Sequence, residues 1–152
     1  MNKIVITLLY LALLVMLGSC KKDDTNSNVY DNAILDGVNS YRMSKGLLPF
    51  EKNDYMWSLA YDHSKAMADG SILFGHDGST ERYALIRQEL GNGTTAENID
   101  WGVGSAGEVV ARWLESAGHK ENLDGDFTLS AVSAVKSKDG KYYYTQLFYK
   151  KN

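Results

Sequence analysis

An α+β fold is predicted for this chain of 152 residues. Up to about residue 116, apolar residues recur at helical spacing and the segments end at glycines or other stop signals. The last third has two apolar, β-rich segments joined by an Asp-Gly turn. Helices first and antiparallel strands last indicate helices and a sheet packed in layers.

Four helices are predicted from apolar spacing and end signals. They are expected at residues 29–45, about 53–68, 81–90, and from 105 to about 116. Gly46 follows the first as a stop signal, and the second carries a continuous apolar stripe. Ser105 and Glu108 have the spacing of a capping box, which starts the fourth helix.

Two strands are predicted in the last third, at about residues 127–135 and 142–149. The turn at residues 138–141 contains Asp139-Gly140, which supplies the positive φ angles of a tight hairpin. A short extended or turn segment is also expected at residues 96–101. The sequence therefore predicts a C-terminal β-hairpin.

Residues 1–19 are predicted to be a lipoprotein signal peptide. Lys3 precedes an apolar run, Ile4 to Leu17, that suits a signal peptide and is short for a transmembrane helix. Leu17-Gly18-Ser19-Cys20 resembles a bacterial lipobox, which implies a lipid on Cys20. An ordinary secretory signal with a buried cysteine is the alternative, and the position directly after Gly-Ser favours lipidation.

Residues 20–28 are predicted to be the lipidated cysteine and a polar tether, and residues 29–152 a single domain. The run Lys22-Asp23-Asp24 resembles the export signal of bacterial surface lipoproteins, although a solvated linker is equally consistent with it. We therefore expect a protein of the bacterial cell envelope that is lipid-anchored to the outer membrane. If the run acts as an export signal, the domain would lie outside the outer membrane, at the cell surface.

Charge and cysteine content exclude a nucleic-acid partner and an intramolecular disulfide. The chain has 16 basic and 19 acidic residues, and Lys3 is the one charge before Cys20, so the mature chain has a net charge of 15 − 19 = −4. Nucleic acid is excluded as a partner because phosphate binding needs a basic face. Cys20 is the single cysteine, so an intramolecular disulfide is also excluded.

Three short motifs occur in order in the middle of the chain: Gly75-His76-Asp77, Ala96-Glu97-Asn98-Ile99, and Trp113 to Asn122. Together with residues 38–42 and 46–50, they resemble the CAP superfamily of cysteine-rich secretory proteins, antigen 5 and pathogenesis-related proteins, also called SCP-like domains. The cysteine-poor bacterial lipoprotein branch is the most similar. The resemblance covers about residues 28–149 and implies a three-layer α-β-α sandwich with a small antiparallel sheet.

The resemblance also implies a central cleft lined by His76, Glu97 and His119. A fourth cleft position, often glutamate in relatives, falls on Ser116, and the neighbouring Glu115 would point about 100° away on a helix. Asn98 is expected to tie the backbone while Glu97 points inward. Considered without the resemblance, these three side chains are also consistent with a loop histidine, a surface glutamate and a histidine just past a helix end.

A divalent metal such as zinc is a candidate cofactor, since imidazoles and a carboxylate are ligands that zinc accepts. His76 and His119 are the candidate ligands. Glu97 is either a third ligand or the candidate catalytic residue, bonded to waters on the metal. His63 instead lies on the apolar stripe of the second helix, which predicts a core histidine bonded to the backbone. Arg42 is predicted to be structural, pairing with a buried acid or capping carbonyls.

Three functions are consistent with the sequence. The favoured one is a binding module for a lipid, glycan or protein, because the fourth cleft carboxylate is missing and no activated nucleophile is evident. The alternative is a metal-dependent, peptidase-like hydrolase that uses His76, His119 and Glu97. The third is a structural envelope protein whose polar cluster stabilises the fold.

Overall fold

The computed structural model describes residues 24–152, and side chains from residue 28. The predicted signal peptide and Cys20 lie outside the described residues. Along the chain the elements are α1 (Asp24–Ser44), β1 (Glu51–Lys52), α2 (Asp54–Ala68), α3 (Ser79–Leu90), β2 (Gly93–Gly102), α4 (Ala106–Glu115), α5 (Ala117–Asp124), β3 (Leu129–Lys136) and β4 (Tyr142–Lys151).

The four strands form one sheet in the order β1-β3-β4-β2. β3 and β4 form the predicted C-terminal hairpin, β2 runs antiparallel to β4, and the two residues of β1 pair in parallel with β3. β2 is longer than the expected segment 96–101, because it pairs with β4 along all ten of its residues. It is also an edge strand, so its outer side is open to side chains from the helices.

Helices cover both faces of the sheet, which confirms the α+β fold. Along β4, Tyr144 and Phe148 pack with α1 and α4 in one hydrophobic cluster. Leu147 and Tyr149, which alternate with them, pack with α2 and α3 in a second cluster. The two-residue period of the strand therefore divides its apolar side chains between two cores.

Two element boundaries differ from the prediction. α1 begins at Asp24, so residues 24–28 of the predicted tether are helical. A helix already held by packing extends at little cost, since each further residue adds a hydrogen bond. The chain also breaks at Ser116 and starts again as α5, which the sequence analysis missed. His119 therefore lies in the first turn of a helix and not past a helix end.

The C-terminal half of α1 is fixed by Arg42. Its guanidinium donates from Nε to the carbonyl of Leu48 at 2.8 Å. Nη1 donates to the carbonyls of Leu123 at 2.6 Å and Gly125 at 2.9 Å. The same group lies 3.7 Å from the ring centre of Phe50. The structural role predicted for Arg42 is confirmed, with carbonyls rather than an acid as its partners.

The N-terminal part of α1 lies at the hairpin end of the sheet. The Tyr30 ring centre is 5.1 Å from that of Tyr142, at the start of β4, and 6.4 Å from that of Tyr144. The Tyr30 hydroxyl also donates to the carbonyl of Gly104 at 2.6 Å. α1 therefore runs from the hairpin end to the opposite end, where Arg42 lies.

Asp31 of α1 is buried against the edge of β3, beyond the point where β1 ends. Its Oδ1 accepts the backbone N–H of Ala134 at 2.8 Å, and its Oδ2 accepts the indole N–H of Trp57 at 2.8 Å. Burial raises the pKa of this carboxyl to about 6, against the opposing effect of its two hydrogen bonds. A single side chain thus links α1, α2 and the sheet.

Candidate functional site

Three of the predicted site residues, His76, Glu97 and His119, gather around the middle of the edge strand β2. Glu97 points to the face covered by α2 and α3, and Asn98 points to the opposite face. His76 lies in the loop between α2 and α3, as predicted, while His119 lies in α5. The two histidines therefore reach the edge strand from different layers of the fold.

Glu97 is buried and forms an ion pair with Arg82 of α3. Arg82 Nε lies 2.7 Å from Oε2, and Arg82 Nη2 lies 2.9 Å from Oε1. Arg82 is itself buried, and its Nη1 donates to the carbonyl of Asp77 at 2.8 Å. This two-bond geometry is the strongest form of arginine–carboxylate pairing. It occupies both oxygens of the predicted catalytic residue.

His76 connects this buried pair to solvent. Its Nδ1 lies 2.8 Å from Glu97 Oε1, while 55% of its side chain is exposed. A carboxylate bonded to arginine can only accept, so Nδ1 carries the proton and donates it to Glu97. In a neutral ring, Nε2 is then free to accept a hydrogen bond from a ligand.

His63 belongs to the same cluster, which extends the prediction of a core histidine for this residue. It is buried as expected, and its Nδ1 lies 3.1 Å from Thr145 Oγ1, a side-chain partner on β4. The same atom is 3.9 Å from Glu97 Oε2. Burial lowers the pKa of His63 to about 4, and the nearby Arg82 charge acts in the same direction.

The free energy of unfolding is expected to depend on His63 between pH 6.5 and about 4. In this window His63 is protonated in the unfolded chain but neutral in the folded chain. The free energy of unfolding therefore falls as the pH falls. The largest contribution is about 3 kcal/mol, from a difference of about 2.5 pKa units. Urea unfolding across this pH range should therefore show a shallower loss for His63→Gln than for the unchanged protein.

Comparing slopes between variants isolates His63, because Asp31 opposes it. The raised pKa of Asp31 makes the folded chain bind an extra proton between about pH 4 and 6, which favours folding on the acid side. His76→Gln is the matched control, since it removes an exposed histidine of the same cluster. Equal slopes for His63→Gln and His76→Gln would contradict the assignment.

His119 is half-buried against Trp113, with ring centres 6.4 Å apart in an edge-to-face arrangement. Burial lowers the pKa of His119, and a charge on His76 lowers it further, against the opposing effect of Asp100. His119 therefore favours its neutral form.

Asn98 and Asn122 hold α5 against β2. Asn98 Nδ2 donates to the carbonyl of His119 at 3.2 Å, which confirms its predicted role in tying the backbone. Asn122 Nδ2 donates to Asn98 Oδ1 at 2.8 Å and lies 3.4 Å from the carbonyl oxygen of Glu97. These hydrogen bonds of the asparagine side chains fix the position of His119 relative to Glu97 on the other face of the sheet.

Ser116 marks the break between α4 and α5. Its carbonyl accepts the N–H of Lys120 at 2.8 Å, and its side chain forms no capping bond. Within residues 24–152, no hydrogen bond joins its hydroxyl to Glu97, His76 or His119. Glu115 is exposed. Neither residue supplies a second carboxylate to the buried cluster.

The described residues do not fit a three-ligand zinc centre. In residues 24–152, no three His, Cys, Asp or Glu side chains are placed where they could hold a metal ion. Because Arg82 bonds both oxygens of Glu97, the imidazoles of His76 and His119 are the remaining candidate ligands. A catalytic zinc usually has three protein ligands.

Arg82 and Thr145 are the site residues that the sequence analysis missed. Both belong to segments that were predicted correctly, a helix and a strand, but neither carries a motif. A signal for Arg82 existed in physical terms, because an inward-pointing Glu97 needs a cation to offset its desolvation.

In the part of the chain that the structure describes, no helix is long and apolar enough to cross a membrane.

Comparison with known proteins places this arrangement among SCP-like domains. A model of the cysteine-rich secretory protein family, CAP, matches residues 35–148. The uncharacterized membrane protein YlbC of Bacillus subtilis is 29% identical over 86% of this chain and 36% of its own length. The uncharacterized protein YkwD of the same organism is 28% identical over 72% of this chain and 44% of its own.

Solved structures are similar over most of the chain. An outer surface protein from Borrelia burgdorferi has a TM-score of 0.66 and 22% identity, covering 80% of this chain and 92% of that one. An extracellular SCP-domain protein from Bacillus anthracis has a TM-score of 0.64 and 28% identity, covering 82% and 41%. The chain spans less than half the length of the two curated relatives.

Proposed function

Since the chain belongs to the cysteine-rich secretory protein (CAP) family, we propose that it is a ligand-binding module of the bacterial cell envelope and not an enzyme. The observation that carries this proposal is the ion pair between Glu97 and Arg82. Family membership alone does not transfer a reaction, so the argument rests on the site.

Glu97 is poorly suited to act as a general base. A base must present a free lone pair within hydrogen-bond reach of the proton it takes. Here Arg82 binds both carboxylate oxygens, and His76 donates to one of them. The metal-dependent hydrolase is therefore the weaker candidate.

The surface around His76 is suited to an uncharged polar ligand. The Glu97 and Arg82 charges offset each other, and His119 favours the neutral state. His76 presents Nε2 to solvent, and Phe74, two residues earlier in the same loop, is 45% exposed. Hydrogen-bonding imidazoles beside an exposed aromatic ring match the hydroxyls and the C–H faces of a sugar. We infer an envelope glycan as the ligand class.

An N-terminal lipid anchor completes the proposal. It is supported by the lipobox-like sequence ending at Cys20. The similar Borrelia protein is named an outer surface protein, and the similar Bacillus anthracis protein an extracellular one. These names agree with a domain that lies outside the bacterial cell.

Glycan binding can be tested on the full chain by following the imidazole signals in NMR spectra. Adding a tetrasaccharide of N-acetylglucosamine is expected to shift the signals of His76 and His119 and to leave buried His63 unchanged. His76→Ala should weaken the affinity about fivefold, the effect of losing one hydrogen bond. His63→Gln is the matched control and should bind as the unchanged protein does.

Two outcomes would contradict the binding proposal. One is an absence of shifts, or shifts that persist unchanged in His76→Ala. The other comes from calorimetric titration of the same protein with zinc: one-to-one binding that is lost in both His76→Ala and His119→Ala would restore the hydrolase.

A further inference from the structure

We propose that the hairpin end of the domain is a membrane-facing surface that docks on the anionic bilayer carrying the chain's own anchor. The proposal rests on the lipid anchor of the proposed function, and its surface shares one residue, Phe74, with the loop that carries His76. The hairpin-end surface consists of five exposed apolar side chains and three lysines: Val29, Leu73, Phe74, Trp101, Val103, Lys136, Lys138 and Lys141.

The position of the N-terminus selects this end of the molecule. α1 begins at Asp24, and Tyr30 packs on Tyr142 at the start of β4 and bonds to Gly104. Cys20 precedes Asp24 by four residues, which span at most about 14 Å when extended. A lipid on Cys20 therefore brings the hairpin end, and not the opposite end, close to the membrane.

Apolar exposure is concentrated at the same end. Five of the eight strongly exposed large hydrophobic side chains in the described residues belong to the hairpin-end surface. Trp101 is 48% exposed, and it pairs across the sheet with Tyr143, whose ring centre lies 6.4 Å from that of Phe74. Val103 is 70% exposed. Aromatic and aliphatic groups in this arrangement are typical of surfaces at the membrane interface.

The charges beside these apolar groups are complementary to anionic lipid. The mature chain is acidic overall, but the β3–β4 turn carries two lysines and one acid, Asp139, and Lys136 ends β3 directly before it. The ammonium group of Lys141 lies 4.9 Å from the ring centre of Trp101 and 3.3 Å from the Asp139 carboxylate. Lys136 lies 5.5 Å from the ring centre of Tyr142. Lysines beside aromatic rings can reach headgroups while the rings enter the interface.

The opposite end provides internal controls. α1 is about 30 Å long, from 21 residues, and Lys45 directly follows its C-terminal end. Lys150 lies near the end of β4, away from the hairpin. Docking therefore predicts that lysines at the two ends differ in their access to a soluble reagent.

Lysine acetylation of the full chain, expressed in a lipoprotein-processing bacterium and reconstituted into phosphatidylglycerol-containing vesicles, tests this. Compared with the same protein in detergent, Lys136, Lys138 and Lys141 should become several-fold less reactive, while Lys45 and Lys150 keep their reactivity. In vesicle flotation of the Cys20→Ser chain, Lys138→Gln should lower binding about fivefold, the effect of one lysine at an anionic surface, and Lys45→Gln should not.

Mass spectrometry of the purified chain separates failure of the anchor from failure of docking. An acylated chain whose lysines react equally at both ends would overturn the docking proposal and leave the anchor intact. Protection that also appears without vesicles would assign this surface to a second copy or another protein, and would likewise overturn it. A chain without acyl groups would remove the anchor, on which the docking proposal rests.

Discussion

Replacing Arg82 with methionine is expected to lower the free energy of unfolding by about 3–5 kcal/mol. The variant keeps an unbranched apolar side chain in place of the arginine stem but leaves the Glu97 carboxylate buried without its cation. His76, which is more than half exposed, then donates the one hydrogen bond left of the three that the carboxylate accepts in the unchanged protein. Urea unfolding at neutral pH measures the loss.

Two further variants show whether the loss comes from an unpaired charge. Arg87→Met changes another arginine of α3, whose side chain donates a hydrogen bond to Thr95. It should lower the free energy of unfolding by less than about 1 kcal/mol. Adding Glu97→Leu to Arg82→Met removes the second charge, and this double variant should regain most of the stability. If Arg82→Met matched Arg87→Met, the central role assigned to the ion pair would be wrong.

Arg42→Ala is expected to cost about 3–4 kcal/mol, the second largest effect. The change leaves three backbone carbonyls, at Leu48, Leu123 and Gly125, without their donor. Each unsatisfied buried group costs about 1–3 kcal/mol, partly recovered where water enters. The variant also removes the guanidinium from the face of Phe50.

Lysine at position 42 provides a graded test. Its compact ammonium group cannot reproduce the fork that reaches carbonyls in two directions, so Arg42→Lys should lose roughly half as much stability as Arg42→Ala. Lys45→Ala, just past the end of α1 and exposed, is the control and should change the unfolding midpoint little. A lysine variant as stable as the unchanged protein would show that charge alone, and not the fork, holds the three carbonyls.

The sequence predicts those parts of the fold whose local pattern matches their burial. α2 and the β3–β4 hairpin were predicted because apolar spacing and the Asp139-Gly140 turn agree with the tertiary contacts. β2 was underestimated because its centre buries Glu97 and Asn98, which a hydrophobicity pattern interprets as surface. α5 was missed because it is short and its single buried residue is Leu123.

The site was predictable only where a motif identified it. His76, Glu97 and His119 came from the family resemblance, while their partners came from the folded chain. Arg82 lies 15 positions before Glu97, and Thr145 lies 82 positions after His63. Nothing local in the sequence reports such pairings. The resemblance therefore identified the side chains, but the ion pair between Glu97 and Arg82 depends on the packing of α3 against β2.

The shortness of β1 has a consequence for the behaviour of the protein at high concentration. With two residues in β1, the rest of β3 has no neighbouring strand on that edge among residues 24–152, and edges without a partner strand are where sheets of different chains join and aggregate. Asp31 takes the Ala134 N–H on that edge, and Trp57 holds the same carboxylate from α2. The Asp31 carboxyl, which is costly to bury, thus covers part of the edge at which another chain could pair.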